Sequence, residues 1–177
     1  MDLGPSLSAL NRAALISSDH LVIPLAADFF SLQVLRNIGL TLSRWRKEWE
    51  NRTQHGLPGL ALPDGRMQAT GYILLRHKAY ARWADRIPPA YQHEILGEPE
   101  GAPLPDPDPH RMASLKHYRS LMPLAQDARK PMFSLRAADG AIGAHAQAVQ
   151  SCYRDFETLA RRIAARVEVS IPSEERP

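Results

Sequence analysis

The sequence predicts an α/β fold built on a few parallel strands, and three observations carry that expectation. Residues 21–27, LVIPLAA, form a continuous apolar run of strand length, the pattern of a strand buried on both faces. Residues 69–75, ATGYILL, form a second such run, and a long one-faced amphipathic segment separates the two. Strand, helix and strand in that order imply a right-handed crossover between parallel neighbours.

The elements follow in order. Residues 6–17 read as a helix with Ser6 as N-cap and Leu7, Leu10, Ala14 and Leu15 on one face. The first strand covers about 19–26. Ser31 then caps a long helix whose stripe is Leu32, Leu35, Ile38, Leu42, Trp45 and Trp49. On that stripe the two tryptophans are expected to pack against the sheet. Residues 56–66 carry Gly and Pro punctuation and read as a loop. The second strand covers about 69–76, and a helix follows from Lys78 to about Leu96, interrupted at Pro88 and Pro89. Residues 98–109 hold five prolines and four acids without a base, the composition of an extended acidic loop. Asp108 and Pro109 make a helix start, with Met112, Leu115 and Met122 on one face and Pro123 as its stop. Residues 131–134 offer a brief third strand. A last helix covers 143–167, with Val149, Tyr153, Phe156, Leu159 and Ile163 inward, and 170–177 read as a disordered tail.

Bulk properties set outer limits. With 177 residues, 44% hydrophobic and 23% charged, the chain suits one soluble domain. A net charge of +3 permits an acidic partner without demanding one. The single cysteine, Cys152, excludes an internal disulfide and fits a reducing cytoplasm. The seven histidines show no tight zinc spacing, and neither a Ser/His/Asp arrangement nor G-x-S-x-G occurs. No apolar run is long enough for a bilayer, and the opening MDLGPSL has no signal-peptide pattern.

Asp2-Leu3-Gly4-Pro5-Ser6-Leu7, then Asn11-Arg12-Ala13-Ala14-Leu15, then Asp19-His20-Leu21-Val22-Ile23-Pro24-Leu25 and Phe30-Ser31-Leu32 stand in a distinctive order. This series resembles the Walker B region of ParA/MinD-type partitioning ATPases, with its D-x-[PG]-P-S-L segment, helix, and strand led by Asp and ending in Pro. The resemblance is strong over residues 2–52 and weaker over ATGYILL and the last helix. It implies that residues 1–169 are the C-terminal portion of a P-loop NTPase-like domain with many covering helices. Asp2 would then be the acid linked to Mg²⁺ through water, and Gly4 and Pro5 would lie in the switch segment that senses the γ-phosphate. An intact member would bind ATP and Mg²⁺, dimerise, and work with nonspecific DNA and a partition adaptor protein in plasmid or chromosome segregation.

The departures are chemical. No G-K-[GS]-G or G-x-x-x-x-G-K-[ST] occurs, so the lysine and amide cradle for phosphates is missing. The strand that should position Asp2 is missing as well, which suggests a truncated or mis-started reading frame. Residues 74–77 read Leu-Leu-Arg-His, with no Asn for an adenine contact. Phosphoryl transfer depends on electrostatic positioning, so ATP hydrolysis by this chain alone is not expected.

Arg44, Arg46 and Lys47, with Arg52 nearby, and Arg161, Arg162 and Arg166 lie near helix ends and are DNA-binding candidates by resemblance. The same placement follows from favourable interaction of cations with a helix C-terminus. A second reading stays open: a non-enzymatic helical module that binds a partner or DNA. Membrane docking is disfavoured, because the polar, proline-interrupted tail offers no terminal amphipathic helix.

Overall fold

The computed structural model describes residues 8–56, 59, 61–76 and 81–170. Its centre is a three-stranded, wholly parallel sheet in the order β1-β2-β3, formed by His20–Ala26, Gln68–Arg76 and Arg111–Lys116. The two sequence-predicted strands are therefore present and paired as parallel neighbours. Before them lies α1, Ala9–Ile16, capped by Ser8, whose Oγ accepts from the Asn11 N–H. Ser6, the expected cap, lies outside the described residues.

Helix α2, Phe29–Gln54, joins β1 to β2. Its cap is Asp28 and not Ser31: the Asp28 carboxylate accepts from the Ser31 N–H at 2.8 Å, and Ser31 is itself buried in the first turn. The aspartate wins because it sits at the last extended residue, where its oxygen reaches the free N–H groups. Leu35, Leu42 and Trp45 are buried as their spacing predicts. Trp49 donates from Nε1 to the Pro63 carbonyl and so ties the following loop to the helix.

Helices α3, Ala81–Ala84, and α4, Ile87–Glu94, follow β2. Pro88 and Pro89 sit in the first turn of α4 and start it, where a missing N–H costs nothing, and do not interrupt a longer helix. Helix α4 lies so close to α2 that a Cβ on Gly39 would be 2.0 Å from the Glu94 carbonyl oxygen. Ile23, Leu25, Leu35, Tyr72, Leu74, Ile87 and Tyr91 fill the core between these helices and one face of the sheet.

Two expectations about residues 108–134 are corrected. Residues 111–116 are strand β3, not helix, and 132–134 form a 3₁₀ turn, not a strand. Asp108 does not cap a helix: it accepts from the His110 N–H and from the Tyr72 hydroxyl. The three-residue spacing of Met112 and Leu115 looked helical, but a bulge explains it. Tyr72 pairs with Arg111 and Ile73 with Ala113, so Met112 is the extra residue, and the strict alternation of a strand is broken there. Helix α5, Leu121–Ala128, contains Pro123 in its first turn, so this proline does not stop the helix.

Helix α6, Ala144–Arg166, covers the opposite face of β2 and β3 through Phe156, Leu159 and Ile163, which meet Ile73, Met112 and Leu115. Cys152 is fully buried on its inner stripe, while Tyr153, expected inward, is 39% exposed. Strand β1 is also corrected. It is buried on one face only: Ile23 and Leu25 point into the core, whereas Pro24 is exposed. Helix α6 does not reach across to β1, and Leu75 beside it remains 45% exposed.

Candidate functional site

In an open parallel sheet the ligand end lies beyond the carboxyl ends of the strands. Here that end is formed by Ala26–Phe29, by Arg76 and by Lys116–Tyr118. The Ala27 N–H donates to the Leu75 carbonyl, so β1 and β2 are held together up to their last residues. Helix α2 then starts with its N-terminus at this end. The positive end of a 26-residue helix is an anion site in principle, but the Asp28 carboxylate already occupies it. A phosphate placed there would meet a fixed negative charge. Among the described residues there is also no group of three or more His, Cys, Asp or Glu side chains able to hold a metal ion. Within the described residues the α2 N-terminus is thus closed by an internal carboxylate. Asp2, Gly4 and Pro5, the metal-linked and switch residues implied by the resemblance, lie outside them.

At the end of β3 a polar cluster links the sheet to α6. Lys116 Nζ donates to Ser151 Oγ at 2.5 Å and lies 3.8 Å from the Asp155 carboxylate, which also accepts from the Tyr118 hydroxyl. Burial, followed by the hydrogen bond to Asp155, pushes the Tyr118 phenol well above the ordinary tyrosine range. Burial likewise raises the Cys152 thiol, which is packed in the core with no exposed surface. This cluster fastens β3 to α6. Sequence reasoning missed it because residues 116–118 read as helix.

The basic candidates fall in two places. Arg44, Arg46 and Lys47 are on the second half of α2, and Arg161, Arg162 and Arg166 end α6. Helices α2 and α6 cover opposite faces of the sheet, so the structure does not join the two groups in one patch. Five of the six side chains are already engaged. Arg46 donates to the Arg66 and Met67 carbonyls, Arg162 to the Met112 carbonyl and Arg166 to the Pro109 carbonyl. Arg44 lies 3.9 Å from Glu48, and Arg161 lies 3.0 Å from Glu157. Lys47 is exposed.

Comparison with known families, with curated proteins and with solved structures finds no match. No helix among the described residues is long and apolar enough to cross a membrane.

Proposed function

We propose that this chain is the C-terminal portion of a ParA-like partitioning ATPase domain, retaining a switch segment at Asp2, Gly4 and Pro5 but not turning over ATP by itself. The observation that carries the reading is the sheet. Three parallel strands in sequential order, with α2 crossing from β1 to β2, are what one flank of a larger doubly wound sheet looks like. Bare apolar surface beside β1 supports it, since Leu75 is exposed where a complete sheet would be covered. ATP, Mg²⁺, dimerisation, nonspecific DNA, a partition adaptor and a cytoplasmic setting all belong to this proposal. The test is nucleotide binding and turnover by the chain as it stands, beside DNA sequencing upstream of its first codon. The expected result is background hydrolysis, with an in-frame glycine-rich loop within about 110 codons. Turnover by the chain alone, or the lack of such a loop, overturns it.

One observation favours the second reading, a non-enzymatic interaction module. The Ala27 N–H and the Asp19 carbonyl both bond to β2, so by alternation the nitrogen of Pro24 faces away from β2. Proline on the outer side is how natural sheets blunt a true edge, and a strand added there would lose one ladder bond. Under this reading the 177-residue protein is monodisperse and unfolds in one cooperative step. Under the first reading it associates in a concentration-dependent way.

A further inference from the structure

The carboxyl end of the sheet carries an aromatic and cationic surface that neither reading uses. Phe29 is 50% and Phe30 77% exposed at the start of α2. The Phe29 ring lies 5.8 Å from Trp83 of α3, and the guanidinium groups of Arg86 and Arg82 lie 4.9 and 5.6 Å from the Trp83 ring. Stacking on the indole restrains both arginines while they stay exposed. Among the described residues neither has a carboxylate partner. Asp28 is committed to capping, and Asp85 is the one acid between them in sequence.

The loop between α4 and β3 has the opposite character. Part-buried hydrogen bonds anchor it at both ends: Glu98 accepts from Gln92 Nε2 at 2.7 Å, and Asp108 accepts from the Tyr72 hydroxyl at 2.5 Å. Between these anchors Glu100 and Asp106 are exposed and have no cationic partner among the described residues. Leu104, 45% exposed, stands between them among exposed prolines. The loop is thus a pre-fixed acidic ridge with an apolar crest. In one molecule the aromatic patch precedes α4 and the ridge follows it, about 12 Å of helix apart.

We propose that the Phe30–Trp83–Arg82–Arg86 patch of one molecule receives the Glu100–Asp106 ridge of a second copy. Leu104 and its flanking prolines meet the phenyl rings, and the two carboxylates meet the two guanidinium forks. Patch and ridge flank one short helix, so two copies can make the contact twice about a two-fold axis, and single contacts add copies into a ring or an open chain. The inference does not use the nucleotide site; it is incompatible with the monodisperse protein of the second reading, and the reciprocal charge rescue below separates it from the nonspecific association expected under the first.

Sedimentation velocity over a concentration series at low and high salt tests it. Wild type should show an average mass that rises with concentration and falls with salt. R82E/R86E and, separately, E100K/D106K change only exposed side chains, and each should weaken association by at least about tenfold. Mixing the two variants should restore it, because every mixed contact again pairs acid with base. Three results overturn the proposal: a wild type that stays monomeric at low salt, variants that associate like wild type, or a mixture that stays dissociated. Loss of nucleic-acid binding in R82E/R86E with self-association intact would assign the patch to a polyanion and overturn it equally.

Discussion

At the residue scale, several charged side chains serve geometry before they serve any partner. Arg46 reaches the carbonyl of Met67, which is buried and holds φ at 45°, a left-handed conformation unusual for methionine. Arg162 does the same service for the bulged Met112. Replacing Arg162 by alanine should cost about 1 kcal/mol of stability in urea unfolding, whereas Arg161→Ala, which loses one exposed pair, should stay within about 0.5 kcal/mol. A charge-reversal test of DNA affinity at Arg162 or Arg166 would therefore mix binding with folding. Lys47→Glu is the cleaner variant, and DNA affinity unchanged by it at low salt would count against an α2 contact. Gly39 makes the opposite point. Gly39→Ala places a methyl against the Glu94 carbonyl and should force α4 outward, at about 1–3 kcal/mol by denaturant titration.

At the scale of elements, the join between β2 and the acidic loop is the feature that sequence reasoning did not see. Residues 98–109 are a loop, as their prolines require, but the loop is fastened to the core through Tyr72 and Gln92. Tyr72→Phe removes the hydroxyl and leaves Asp108 with only the His110 N–H. The expected outcome is a loss of about 1–3 kcal/mol, together with faster amide hydrogen exchange across 98–110, read by mass spectrometry. The same join explains why residues 108–116 read wrongly. Asp-Pro followed by apolar residues three apart is a sound local sign of a helix start. Here Asp108 instead answers a buried tyrosine from a strand 36 residues away, and the bulge at Met112 mimics a helical spacing. Elements with uninterrupted patterns were legible: β1, β2 and α6 fall within two residues of their expected bounds, and α2 is present but is capped three residues before Ser31.

At the scale of the whole molecule, three buried phenols link stability to pH. Burial is the first cause in each case. It raises Tyr72, Tyr91 and Tyr118 above the ordinary tyrosine value, with the acid partners Asp108 and Asp155 adding to the shift. In the unfolded chain these phenols ionise near pH 10. Above that pH the unfolded state binds fewer protons than the folded one, so stability, complete below about pH 10, should fall as pH rises. Thermal melts between pH 8 and 11 should show this decline, and Tyr118→Phe should flatten it. The candidate nucleotide site was legible only as a resemblance in residues 2–7, which lie outside the described residues. The aromatic patch was not legible, because Phe29, Phe30 and Trp83 are brought together by a crossover that spans more than fifty residues.

By itself the sequence determined the class of the fold, since apolar runs of strand length and a 3.6-residue stripe are local signals that each segment carries alone. It also determined that no glycine-rich phosphate loop lies within these 177 residues. Tertiary structure decided where Asp108, Arg46 and Arg162 find their partners and which edge of the sheet is blunted. Those outcomes depend on hydrogen bonds between residues distant in sequence, and such partners exist only once β1, β2 and β3 have come together.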